Sequence, residues 1–156
     1  MTVREFEANG LHLLDTLANL IRRVPADKLD WRPHEAMMTL GQLVEHTATS
    51  FTPVVELAVK QPPSDGHGGD IKLRSISVAE GLAIVEQHKA LLSELLVGIT
   101  EDQWLHSQRN LPWGASGSLG FCCVIAIDHA AGHRYQLFMY LKLLGQTLST
   151  NELYGG

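Results

Sequence analysis

The chain has 156 residues, which sets an expectation of one domain over residues 1–156, long enough to bury a hydrophobic core without disulfide staples. Its net charge of −5 comes from 17 acidic and 12 basic residues that intermingle, so no basic stripe is available to grip a phosphate backbone, and nucleic acid is not expected as a partner. The longest apolar run, residues 121–127, falls far short of the ~20 residues that span a bilayer, and charges crowd the N-terminus where a signal peptide needs an apolar run, so no membrane is expected and the chain reads as cytoplasmic.

In the first predicted helix, residues 3–23, Phe6, Leu13, Leu14, Leu17, Leu20 and Ile21 recur at helical spacing, and Pro25 follows its end. A second opens at Thr39, where Thr39-Leu-Gly-Gln42 fits a capping box, and runs through Leu43, Val44, His46, Phe51 and Val55 to about residue 60. Pro53 removes a backbone donor inside it and predicts a kink in mid-helix, and Pro62-Pro63 predicts its stop. Residues 64–70 read as a surface loop, with His67 solvated.

A third helix starts on another capping box, Ser77-Val-Ala-Glu80, and continues through Val85, His88 and Leu92 to about residue 98, with a further helical turn at 101–105. Residues 104–117 lose helical periodicity and suit an extended or turn-rich connection; a short hairpin would fit, but nothing in the pattern demands one. The last helix opens near Ser118 and stops at Gly145, well placed as the residue that ends it. Within it, Cys122 and Cys123 are neighbours with Cα atoms about 3.8 Å apart, closer than a disulfide span of roughly 4.4–6.8 Å, so no bridge between them is expected. Four long helices and almost no credible strand imply an all-α fold, a four-helix bundle with long connections.

The last helix carries the chain's most informative segment, Asp128-His-Ala-Ala-Gly-His133-Arg. Histidines four apart stand one turn above each other on one helix face, so His129 and His133 can converge on one metal ion. The same spacing also suits two polar residues flanking a groove. His46, beside the apolar stripe of the second helix, can point to the bundle centre and is the best third ligand, although a histidine there also serves as a hydrogen-bonded core residue. His12 and His88 lie on other helices without a histidine one turn away, and His34, His67 and His106 fall in connections.

The stretch from Asp128-His-Ala-Ala-Gly-His-Arg-Tyr-Gln-Leu to Gly145 resembles the final helix of the DinB-like (DinB/YfiT) metalloproteins, in which two histidines lead into Arg-x-Gln-Leu. Upstream, Leu29-Asp-Trp-Arg-Pro33 and Thr39-Leu-Gly-Gln-Leu-Val-Glu-His46 are similar to that family's Trp-x-Pro turn and histidine-bearing second helix. The resemblance covers nearly the whole chain. It implies a four-helix bundle holding a divalent ion on His46, His129 and His133, often as a homodimer. Relatives of that kind include bacillithiol and mycothiol transferases and a mycothiol-dependent maleylpyruvate isomerase, while many others bind metal with no established reaction. The function so implied is a metal-dependent transferase, or a hydrolase, acting with a small-molecule thiol or water on an electrophilic substrate. A metal-binding or stress-response bundle without turnover is the alternative.

Three neutral imidazoles leave a divalent ion its full Lewis acidity but do not choose among zinc, nickel, iron and copper, since imidazole suits them all and affinity alone favours copper; zinc or nickel is the expected occupant, with iron, manganese or copper as alternatives. No catalytic side chain is assigned. Glu45 and Asp128 each sit one residue before a ligand and point about 100° away. Gln136, three residues after His133, shares its face and could hold water or substrate, or make an interhelical contact. Arg134 reads as a structural ion pair, or as a fork for a carboxylate-bearing thiol. Cys122 reads as a small buried hydrophobe. Trp31, Trp104 and Trp113, at helix ends and connections, are placed to line a pocket mouth, and Gly132, at about 1 kcal/mol of helix propensity, to admit a close neighbour.

Overall fold

The structure is a computed structural model that describes residues 1–61 and 72–155. The predicted loop at 64–70, with His67, and the Pro62-Pro63 stop lie outside the described residues. Seven helices and one hairpin follow in order: α1 (Val3–Ile21), α2 (Leu40–Thr49), α3 (Thr52–Lys60), α4 (Val78–Leu96), α5 (Glu101–His106), β1 (Gln108–Asn110), β2 (Ser116–Ser118), α6 (Leu119–Leu143) and α7 (Thr150–Tyr154), with one 3-10 turn at Ala26–Lys28. The capping boxes at Thr39 and Ser77 form as expected, each hydroxyl accepting from the backbone N–H three residues on. No helix among the described residues is long and apolar enough to cross a membrane.

The bundle is built from α1, the α2–α3 pair, α4 and α6, with α1 and the α2–α3 pair each packed against both α4 and α6. Its core is mostly apolar, with Leu14, Leu17, Leu20, Ile21, Leu43, Val55, Leu92 and Leu137 fully buried alongside Thr16, Thr47, Ser50 and Thr52. At one end Phe6 meets Trp104 and Phe51, with ring centroids 5.0 and 5.9 Å away. Gly10 permits this, because a Cβ there would stand 2.8 Å from the Phe51 ring. Gly145 ends α6 with φ +86°, a conformation that glycine adopts without strain.

The second predicted helix is not one kinked helix but two. Pro53 is the second residue of α3, where its missing N–H costs nothing, and Phe51 breaks the path at φ −107°, ψ −73°. Val54 donates to the Phe51 carbonyl and not to that of Ser50, which leaves the Ser50 carbonyl, like that of Ala48, open to partners outside its own helix. Both then accept from histidines, Ala48 from His88 Nδ1 at 3.1 Å and Ser50 from His129 Nδ1 at 2.9 Å.

Residues 108–118 do close as a hairpin, with Arg109 opposite Gly117. Arg109 Nε donates to the Ala58 carbonyl at 2.9 Å and Gln61 Nε2 to that of Asn110 at 2.9 Å, which fastens the hairpin to the end of α3. The cysteines are free and buried, and burial raises both thiol pKa values, that of Cys123 to about 12.

Candidate metal centre

His46 lies on the second turn of α2, and His129 and His133 lie mid-way along α6, so the packing of α2 on α6 brings them together. The His133 ring centroid is 4.0 Å from that of His46 and 4.7 Å from that of His129, and His46 and His129 are 5.6 Å apart. One donor atom from each falls within 4.8 Å of the others. No other such group of metal-ligating side chains occurs among the described residues. His88 is spent on Ala48, His34 Nδ1 accepts from the Ala36 N–H at 3.1 Å, and His106 lies 4.0 Å from Asp102 on the surface.

The second nitrogens decide what the first can do. His129 Nδ1 faces the Ser50 carbonyl, and His133 Nδ1 faces Gln136 Oε1, both at 2.9 Å. Oxygens of this kind only accept, so each Nδ1 carries the proton and each Nε2 presents a bare lone pair. These two Nε2 atoms are 3.0 Å apart. Two lone pairs at that separation repel unless a cation or proton lies between them. Nitrogens bound at about 2.0–2.1 Å to one ion lie about 3 Å apart, so the donor set fits a divalent metal.

Burial pushes the His46 imidazole down to about 4, helped by the His133 and His129 rings, and burial also lowers His133 despite its bond to Gln136. Both rings are thereby held in the neutral form that ligates metal. An unfolded histidine titrates near ~6.5, so between that pH and about 4 the unfolded chain binds a proton that folded His46 does not. Stability from this group is therefore complete above ~6.5 and falls as the pH drops through that window. Urea midpoints of chelator-treated protein should decline more steeply from pH 7 to 4 than those of His46→Gln; parallel declines would contradict the assignment.

Gln136 thus contacts a candidate ligand on its own helix, a use that sequence spacing did not single out. Loss of such an outer partner lowers metal affinity by about 10–100-fold. Gln136→Leu should show that loss in a zinc competition titration, while Gln136→Glu should retain wild-type affinity. Equal affinities for the leucine variant and wild type would remove Gln136 from this role.

Among the described residues Arg134 makes no ion pair and its buried Nε has no partner; Nη1 donates to Thr16 Oγ1 at 3.3 Å, and the guanidinium stands 5.1 Å from the centre of the Tyr154 ring. The carboxylates of α6 and α2 lie elsewhere, Asp128 exposed and Glu45 paired with Arg74 at 2.9 Å. Cys122 is buried near the carbonyls of Arg109 and Gly117, as a small hydrophobe. Among the described residues nothing lies within 4 Å of the position a Cβ would take on Gly132, so none of them explains that glycine. Of the tryptophans, Trp31 packs edge-on against Tyr140 and Trp104 is core; Trp113 alone lines the cavity beside the histidines.

Residues 12–137 match the sequence profile of the DinB superfamily. The chain belongs to that family. No protein of curated function matches it. Its fold is that of a DinB-like protein from Bacillus cereus ATCC 10987 (18% identity, 95% of this chain and 96% of that one, TM-score 0.74). It is also that of a member from Exiguobacterium sibiricum 255-15 described as putative (17%, 94% and 94%, 0.69) and of a DinB-like protein from Bacillus subtilis (17%, 92% and 94%, 0.68). These DinB relatives establish the helical bundle for the chain.

Proposed function

We propose that this DinB protein holds a divalent cation, zinc or nickel, on His46, His129 and His133, and that the centre activates a low-molecular-weight thiol or water for transfer to an electrophile. The observation that carries the reading is the pair of bare Nε2 atoms 3.0 Å apart, each fixed by an oxygen on its Nδ1. A cation on three neutral imidazoles would lower the pKa of a coordinated thiol or water and keep positions open for it. The chain's own part is to hold the rings: Ser50 and Gln136 orient two of them, and burial keeps His46 neutral.

Zinc- or nickel-loaded protein should consume an electrophile in the presence of one member of a thiol panel, or hydrolyse it. Loss of that turnover in His133→Ala, with the fold intact by circular dichroism, is the expected outcome. A loaded protein that consumes nothing across the panel would leave a metal-binding bundle without turnover.

We further propose a homodimer. Phe121, Val124, Tyr135, Met139 and Leu143 are all exposed and fall on one stripe of α6, an unpartnered apolar face of the kind a second copy would cover.

A further inference from the structure

Beside the histidines lies a cavity of about 470 Å³, a size that suits a small-molecule ligand. Pro53, Val54 and Leu57 of α3 form one wall and Ile125 of α6 another, while His46 and His129 stand at one end. Thr49 contributes a hydroxyl that already donates to the Glu45 carbonyl at 2.9 Å. Among the described residues, none of the lining side chains is an acid, a lysine or an arginine, and Arg134 is engaged with Thr16 and Tyr154 instead. In the metal-free protein a charged group drawn into this space would lose its hydration and find no counter-charge among these side chains.

Trp113 supplies the remaining wall from the turn of the β1–β2 hairpin. The hairpin that carries it is fastened by two hydrogen bonds to the end of α3 and by the buried Leu111. A half-exposed indole on that hairpin presents a broad apolar face to whatever enters.

We infer that the chamber takes a neutral, predominantly apolar small molecule, aromatic or branched aliphatic, and that Trp113 is a specificity-determining wall. That this molecule is the electrophile of a metal-dependent reaction rests on the function proposed above; the preference for neutral apolar ligands does not. The polar body of a charged thiol would stay outside the chamber and leave it to the electrophile.

A matched pair of fluorescent probes tests this: neutral N-phenyl-1-naphthylamine and its sulfonated analogue 8-anilinonaphthalene-1-sulfonate, titrated into full-length chelator-treated protein. The neutral probe should bind at least about tenfold more tightly than the sulfonated one. Trp113→Ala, at an exposed position, and Leu57→Asp should each weaken it by about fivefold or more, and Val97→Ala, at an exposed residue outside the chamber lining, should not. Equal binding of the two probes, or unchanged affinity in both chamber variants, would overturn the inference. Zinc titrations on the same samples separate the two readings. Neutral-probe binding without zinc binding leaves the chamber standing and removes the metal centre, whereas zinc binding without probe binding removes the chamber alone.

Discussion

His46→Ala should reduce zinc affinity by more than about 100-fold, because removing a ligand costs more than removing an outer hydrogen-bond partner, which already costs about 10–100-fold. The two remaining candidates come from one helix turn of α6, and without His46 nothing on α2 closes the site. The effect should also appear in stability. An ion that binds only the folded chain adds about 2.7 kcal/mol at 100 times its dissociation constant, which for a chain of this size raises the melting temperature by roughly 5–10 °C. Wild-type protein should show that rise on adding zinc and His46→Ala should not. His106→Ala, at an exposed histidine on α5, should behave as wild type in both assays. A His46→Ala protein with undiminished zinc affinity would exclude α2 from the centre.

Trp104→Ala should be the most destabilising of the tryptophan substitutions. Its side chain is 2% exposed, packs on Phe6 at 5.0 Å and donates from Nε1 to the Met1 carbonyl at 3.0 Å, so truncation leaves a large cavity and an orphaned acceptor. Deleting a buried aromatic of this kind costs about 3–5 kcal/mol, which lowers the melting temperature by on the order of 10 °C. Trp113→Ala, at a position 51% exposed, should stay within about 1 kcal/mol of wild type. Thermal denaturation followed by circular dichroism checks both, and comparable losses would contradict the division of labour between the two indoles.

That division was not visible in the chain order, since both tryptophans precede or occupy the same connection. What separates them is the hairpin, which turns Trp113 outward to the cavity while α5 folds Trp104 onto α1. The helices themselves were readable because their apolar residues recur with the helical period and because Thr39, Ser77 and Ser118 stand where caps are needed. The 5-residue α7 went unread although Ser149 and Glu152 form a capping box, because an element so short has almost no periodicity to detect.

Pro53 told that a backbone bond is lost but not whether the helix resumes on the same axis. That was settled by Phe51, whose ring is wholly buried against Gly10 and Phe6. The break matters for the site, because it frees the Ser50 carbonyl that orients His129. No sequence pattern marks a backbone oxygen as an outer partner of a candidate ligand. His129 and His133 were legible from their spacing, and His46 only as a candidate, because its meeting with them depends on how α2 crosses α6.

The account stands on a cation shared by the three imidazoles, and metal content tests it most directly. Protein prepared without a histidine tag or nickel column, exposed to zinc and dialysed, should carry about one equivalent per chain by elemental analysis, as three neutral donors in this arrangement require. His129→Ala prepared alongside should retain almost none. A wild-type protein without stoichiometric metal, or a variant that carries as much as wild type, would contradict it.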